Sequence, residues 1–83
     1  MTKSYKRAEV EALLQVGAIQ SVEIVGTGDG MCIRFHTKGD SGVLLNERFP
    51  YNVKYYAKID TAAKLLRELG IKKFTVDQSE WPE

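Results

Sequence analysis

The clearest pattern of hydrophobic and polar positions lies in residues 60–77, DTAAKLLRELGIKKFTVD. Four apolar residues recur there at the spacing of one helix face: Ala62, Leu65, Leu66 and Leu69. This spacing predicts an amphipathic helix with Asp60 as its N-cap. Gly70 suits the left-handed position after the last turn, with Ile71 folding back onto Leu66 in a Schellman closure. Phe74 and Val76 then alternate with polar residues and predict a short, half-buried strand.

A second helix is predicted near the start of the chain, from Ser4 to Val16, with Gly17 as its stop. Its buried stripe is expected to contain Val10, Leu13 and Leu14, flanked by Ala8 and Ala12. Charged residues occupy the remaining positions of the same segment. The helix is therefore predicted to be amphipathic and to cover a sheet.

Between the two helices, short apolar segments alternate with turn signals. Strands are predicted at 21–25, 31–37 and 43–48, and a fourth at 53–56. The glycine-rich loop at 26–30 contains an Asp-Gly pair, which is typical of a hairpin turn. The spacing G-x-G-x-G and the strand that follows argue against a phosphate-binding loop, which needs a helix N-terminus.

The element order is therefore α-β-β-β-β-α-β. We expect an α+β fold, with a mostly antiparallel sheet of four to five strands and both helices packed on one face. Eighty-three residues predict one domain, 1–83, with 78–83 as a loosely ordered tail.

Composition narrows the class of protein. The net charge is +1, from 12 basic and 11 acidic residues, so no overall field favours nucleic acid or membrane. A single cysteine, Cys32, excludes an internal disulfide and fits a reducing compartment. No apolar run reaches the length of a membrane span, and the N-terminus lacks a signal-peptide core. We expect a cytoplasmic protein that does not bind membranes.

One strand invites a catalytic or metal-binding interpretation. Cys32, Arg34 and His36 share one side of it, opposite Met31, Ile33 and Phe35. Cys32 and His36 are about 13 Å apart along an extended strand, too far for a hydrogen bond or a shared zinc ion. The chain has no other cysteine or histidine to complete a zinc site. We therefore expect no enzyme activity, metal or cofactor.

Residues 48–73 contain seven basic and two acidic residues, an excess of five positive charges. Aromatic residues are interleaved with them: Phe49, Tyr51, Tyr55 and Tyr56. Such a segment can bind nucleic acid through phosphate contacts and base stacking. The favoured alternative is that the aromatic residues fill the core beneath the second helix while the lysines coat its outer face.

Trp81 lies in an acidic tail and has two interpretations. It is either an anchor for a partner protein or a residue that folds back over the sheet edge, which is the favoured interpretation. The helix-free side of the sheet is a further candidate interaction surface, and an ordinary solvated face is the alternative. The candidate binding residues are Arg34, His36, Arg48, Lys54, Lys58, Lys72, Lys73 and Trp81.

A family resemblance rests on KRAEVEALLQVGAIQSVEIVGTGDG, IDTAAKLLRELGI and FTVD followed by a tryptophan. Between Lys6 and Trp81 the chain resembles small plasmid partition-associated proteins of the ParC type, which are unrelated to the topoisomerase subunit of similar name. The resemblance implies an accessory role in the stability of plasmids or mobile elements. The matching positions are structural, so no functional residue is carried over. We expect a non-enzymatic, protein-binding module; a weak DNA-binding module using the basic 48–73 surface is the alternative.

Overall fold

The structure is a computed structural model that describes residues 2–79. Five strands and two helices follow one another in these residues: β1 (Thr2–Tyr5), α1 (Arg7–Gln15), β2 (Ile19–Thr27), β3 (Gly30–Thr37), β4 (Asp40–Leu44), α2 (Ile59–Glu68) and β5 (Thr75–Asp77). The strands form one sheet in the order β1-β4-β3-β2-β5. The predicted α+β class, with two helices and a five-stranded sheet, is confirmed.

The sheet is mixed rather than mostly antiparallel. β2 pairs with β3, and β3 with β4, as antiparallel hairpins. The two edge strands are parallel to their neighbours, β1 to β4 and β5 to β2. The parallel pairs arise because each edge strand is connected to the central meander through a helix, which returns the chain to the same end of the sheet.

Both helices pack on the same face of the sheet, as predicted. Val10 of α1 and Ala62 and Leu66 of α2 are fully buried. They join one cluster with side chains of the central strands, including Ile24, Ile33 and Phe35, which are also fully buried. The alternation in β3 is confirmed, because Met31, Ile33 and Phe35 lie in this core. Ala8 and Ala12, expected beside the stripe of α1, are exposed.

The two helices end in the same way. Gly70 has φ of 85°, and Ile71 donates its amide to the Leu66 carbonyl at 2.8 Å. The Gly70 amide donates to the Arg67 carbonyl at 3.0 Å, which completes the predicted Schellman closure. Gly17, with φ of 69°, ends α1 with the equivalent pair of bonds: its own amide donates to the Leu14 carbonyl, and the Ala18 amide donates to the Leu13 carbonyl.

Both predicted helix starts are wrong. Ser4 belongs to β1, and α1 begins at Arg7, after Lys6, whose amide donates to Glu9 Oε1 at 2.9 Å. Helix α2 begins at Ile59, so Asp60 lies in its first turn and is not the N-cap. The earlier start places Ile59 against the core, and the Asp60 carboxylate still lies near the positive end of the helix dipole.

The strand boundaries differ most between β4 and α2. The predicted third strand, 43–48, is β4, and it begins at Asp40 and ends at Leu44. The segment predicted as a fourth strand, 53–56, forms only two isolated bridges, Leu45 to Val53 and Met31 to Tyr56. The fifth strand of the sheet is instead the N-terminal β1. Residues 46–55 connect Leu45 to Tyr56 as an ordered loop, which we call the aromatic loop.

Two predictions about burial require correction. Strand β5 was expected to be half-buried, but all three of its residues are exposed, because it is an edge strand of only three residues. Val25 and Cys32 are paired across β2 and β3 on the face without helices. That face was expected to be solvated, yet these two side chains are only 6% and 5% exposed.

Candidate docking surface

The aromatic loop is held to the rest of the protein by backbone hydrogen bonds. The Lys54 amide donates to the Leu44 carbonyl at 2.9 Å, and Asn46 donates to Asn52 across the base of the loop at 2.8 Å. Tyr56 and Met31 exchange two bonds of 2.7 and 2.8 Å. The loop therefore has a fixed conformation at the end of the sheet where β2 turns into β3.

The turn between β2 and β3 supports the end of this loop. Gly30 has φ of 135°, and a Cβ built on it lies 3.0 Å from Tyr55 Cβ and 3.2 Å from the Tyr56 carbonyl oxygen. A side chain at position 30 would push against the loop. The Asp-Gly signal in the sequence therefore marks both the hairpin and the point where the loop passes over it.

At its tip the aromatic loop exposes large apolar side chains. Phe49 is 84% exposed, and Tyr51 is 37% exposed. Their rings meet edge to face, with centroids 6.0 Å apart and an interplanar angle of 88°. Tyr55 is 40% exposed. A preordered loop that presents aromatic rings to solvent is typical of a protein-docking anchor.

Cations lie beside these rings. Lys6 Nζ is 4.1 Å from the centroid of the Tyr51 ring, and Lys54 Nζ is 5.3 Å from that of Tyr56. Burial raises the pKa of the Tyr56 hydroxyl, so this phenol stays neutral at physiological pH and can donate a hydrogen bond. The surface around the loop is thus aromatic and positively charged.

A groove lies next to the loop, between the start of α1, the end of β4 and α2. Its volume is about 340 Å³, within the range of roughly 300–1,000 Å³ typical of ligand pockets. Its apolar lining comes from Leu44, Leu45, Tyr56 and Leu65. Three cations and two carboxylates complete the walls: Arg7, Lys54, Lys64, Glu47 and Glu68.

The charges in the groove are only partly paired. Arg7 lies 3.8 Å from Glu47 and 4.0 Å from Glu11, both at the long end of an ion pair. Within residues 2–79, no carboxylate lies within 4.0 Å of the amines of Lys54 or Lys64. In this part of the chain, two lysines without an ion-pair partner therefore border an apolar floor.

The helix-free face carries a separate charged cluster. Glu23 Oε1 lies 2.8 Å from His36 Nε2 and 3.5 Å from Arg34 Nη1. Arg34 Nε is buried without a hydrogen-bond partner in the part of the chain that the structure describes. Burial raises the pKa of the neighbouring Cys32 thiol, which disfavours the thiolate form. The cluster thus consists of an ion pair between Glu23 and Arg34 and a hydrogen bond between Glu23 and His36.

The predicted binding residues do not form one site. Arg34 and His36 lie on the helix-free face, whereas Arg48 and Lys54 belong to the aromatic loop. Lys58 precedes α2, and Lys72 and Lys73 lie in the connection from α2 to β5. Trp81 lies outside the described residues. Among the candidates that the structure describes, Lys54 is the one that lines the groove.

The favoured interpretation of the sequence placed the aromatic residues of 49–56 in the core beneath α2. The structure corrects this for three of the four, because only Tyr56 packs against the core. The exposed position of Phe49 was therefore not predicted. The one signal in the sequence is Pro50, which favours a turn at this point of the chain rather than a strand.

Metal binding and membrane insertion are two further classes of function. Within residues 2–79, no group of three or more histidine, cysteine or carboxylate side chains has the geometry to hold a metal ion. Neither α1 nor α2 in this part of the chain is long and apolar enough to cross a membrane.

Comparison with known proteins identifies the family. A family model described as ParC-like matches residues 6–82, almost the whole chain. Neither a search of curated proteins nor a search of solved structures found a match. Because the family model spans both helices, the whole central meander and the aromatic loop, the resemblance expected from the helix and glycine patterns holds at the level of the family. The chain belongs to the ParC-like family.

Proposed function

We propose that this protein is a non-enzymatic accessory protein of plasmid or mobile-element maintenance or partition. It acts by binding a partner protein through the aromatic loop. Membership of the ParC-like family supports the biological setting. The observation that carries the binding role is the 84% exposure of Phe49 on a loop fixed by hydrogen bonds at both ends.

Two contributions to the free energy of binding favour this loop as a docking site. An aromatic ring in water gains free energy when a partner covers it, by about 25 cal/mol for each Å² of apolar surface buried. A loop that is already ordered loses little conformational entropy on binding. Phe49 and Tyr51 together therefore form a preorganised anchor of the kind that dominates many protein interfaces.

Quantitative affinity capture tests this function. Immobilised protein is exposed to extracts of a host that carries the mobile element, and bound proteins are measured by mass spectrometry. Phe49→Ala is expected to reduce recovery of a specific partner, and to weaken its affinity about 30-fold, as for a hot spot of about 2 kcal/mol. Val16→Ala is the matched control, since Val16 is 77% exposed at the far end of α1.

The outcomes separate docking from nonspecific adhesion. A partner that is recovered equally by wild type, Phe49→Ala and Val16→Ala contradicts the loop as its binding site. Absence of any reproducible partner, with the protein folded by circular dichroism, contradicts the protein-binding function itself.

DNA binding through the basic 48–73 surface is the second candidate. It is favoured by the cluster of Arg48, Lys54 and exposed aromatic rings on the loop, because bases stack on such rings while cations contact phosphates. The overall charge of +1 supplies little general attraction to DNA, so we favour protein binding over DNA binding.

Fluorescence anisotropy with a 30-base-pair duplex tests this candidate. Three phosphate contacts predict a loss of affinity of roughly 40-fold between 50 and 200 mM salt, and a lower salt slope after Lys54→Glu, Lys58→Glu or Lys72→Glu. Binding that does not depend on salt, or no binding at 50 mM salt, eliminates duplex DNA as the ligand.

A further inference from the structure

The groove beside the aromatic loop is a second recognition element with its own chemistry. It has an apolar floor, and cations project from two different elements, Lys54 from the end of the loop and Lys64 from α2. We propose that this groove binds a peptide segment of the partner in which a bulky apolar side chain lies next to a carboxylate. This inference rests on the proposed protein-binding function and specifies the class of segment that is recognised.

The floor selects the apolar side chain. Leu44 is only 3% exposed and belongs to the core, whereas Leu45 and Leu65 are half-buried at the groove surface. A cavity of about 340 Å³ holds one large side chain and part of the backbone beside it. Covering the half-buried leucines removes apolar surface from water, which favours binding.

The lysines of the groove favour a peptide that carries a carboxylate. Lys54 and Lys64 have no carboxylate partner within 4.0 Å in residues 2–79, so an incoming carboxylate meets cations that need not break an existing ion pair. Tyr56 also lines the groove, and its phenol is a hydrogen-bond donor when it is neutral.

The carboxylates of the groove disfavour a ligand that carries several negative charges. Glu47 and Glu68 also line the groove, which leaves an excess of one positive charge among the five ionisable groups of its rim. A nucleotide or polyphosphate would bring several negative charges against these two carboxylates. A single carboxylate next to an apolar group matches the rim better than a polyanion does.

The proximity of the groove to the aromatic loop supports a continuous interface. Lys54 belongs to the loop and lines the groove, and Asn46 and Glu47 do the same from its other end. A partner that covers Phe49 can therefore extend a neighbouring segment into the groove without a change in the backbone of this protein.

A phage-displayed library of random dodecapeptides is the probe for this inference. It is selected on the intact wild-type protein, and the selected peptides are synthesised with a fluorescent label. We expect them to share an aspartate or glutamate within two positions of Leu, Phe or Trp. Peptides without an acidic residue, or failure to select any peptide above background, overturn the inference.

Charge-reversal variants assign the binding to the groove. Lys64→Glu and Lys54→Glu are each expected to weaken a selected peptide at least tenfold. Lys38→Glu, in the turn between β3 and β4 at the opposite end of the sheet, is expected to change the affinity less than twofold. Equal affinity of the peptide for all three variants overturns the inference. Self-association of the wild-type protein that is lost in Lys64→Glu would also overturn it, because a second copy of this chain would then occupy the groove.

The test of the groove and the test of the proposed function can fail independently. Capture of the cellular partner that depends on Phe49 but is unchanged by Lys54→Glu and Lys64→Glu leaves the docking loop in place and rejects the groove. If the expected acidic peptides are selected while no cellular partner is recovered, the groove inference stands and the proposed cellular function is contradicted.

Discussion

At the scale of single residues, Gly42 has no room for a side chain. It lies in β4 opposite Phe35 on one side and Lys3 on the other. A Cβ at this position would come within 2.5 Å of the Tyr5 ring and 2.9 Å of the Lys3 carbonyl oxygen. The ring of Tyr5 therefore covers the space that any larger residue would need.

Gly42→Ala is expected to lower the free energy of unfolding by about 1–3 kcal/mol, because overpacking forces the Tyr5 ring and the backbone of β1 to shift. Urea denaturation measures this change. Gly28→Ala is the control, since a Cβ there meets no atom within 4 Å and its effect should stay within about 0.5 kcal/mol. Equal stability of the two variants would contradict the packing described for Gly42.

The ion pair between Lys3 and Asp40 predicts a pH dependence. The two side chains meet at 2.8 Å, and the hydrogen bond from Lys3 holds the pKa of the Asp40 carboxyl below its ordinary value. The same contact raises the pKa of Lys3. The stabilisation is therefore complete above the ordinary aspartate pKa and is lost as pH falls through the lowered folded value.

Titration of the Asp40 carboxyl by NMR measures this effect directly. In Lys3→Met the pKa of Asp40 is expected to rise toward its ordinary value, and the acid dependence of stability should become shallower. An Asp40 pKa that is the same in both proteins would show that the ion pair does not form in solution.

At the scale of helices and strands, the unit from Ile59 to Asp77 attaches the second helix and the edge strand to the sheet. Leu66 is fully buried, and its carbonyl also accepts the bond from Ile71 that closes the helix. The side chain and the backbone of this one residue thus stabilise both the core and the helix end.

Leu66→Ala is expected to cost about 2–5 kcal/mol, because it leaves a cavity among fully buried neighbours. Arg67→Ala, on the exposed side of the same turn, should change stability by less than about 0.5 kcal/mol. Thermal and chemical denaturation of the two variants gives the comparison. An unchanged midpoint for Leu66→Ala would mean that this face of α2 does not contact the core.

The helices and the central hairpins were predictable from sequence because each is specified by local chemistry. The apolar spacing of α2 and the glycines at positions 17 and 70 fix helix faces and ends without reference to the rest of the chain. Strand β1 was not predictable, because the sequence TKSY has no alternation and pairs only through the non-local β4. The start of α2 was missed because tertiary packing of Ile59 overrides the capping preference of Asp60. The start of α1 was missed because Ser4 pairs with Val43 in the sheet.

At the scale of the whole molecule, the surface is divided between two faces of one sheet. One face is covered by both helices, and the other carries the network of Glu23, Arg34 and His36. The aromatic loop and the groove lie at the end of the sheet where α1 and α2 begin. The proposed recognition surface and the hydrophobic core therefore lie in different parts of the fold, so we expect variants of Phe49 or Lys64 to leave the core intact.

The candidate site was less predictable than the fold. The excess of basic and aromatic residues in 48–73 marked a segment that includes most of the aromatic loop, but the direction of each side chain depends on contacts that are distant in sequence. Met31 fixes the position of Tyr56, and Gly30 supports Tyr55. These contacts leave Phe49 at the loop tip, which no local pattern of hydrophobicity specifies.

Photo-crosslinking from position 49 tests the central claim, that Phe49 lies in the interface with a partner protein. The change is Phe49→p-benzoylphenylalanine, made in a host that carries the mobile element, with the same substitution at Val16 as the control. We predict a crosslink to one specific protein from position 49 and none from position 16. A folded protein that gives no specific crosslink from position 49, or the same products from both positions, would contradict the proposed docking loop.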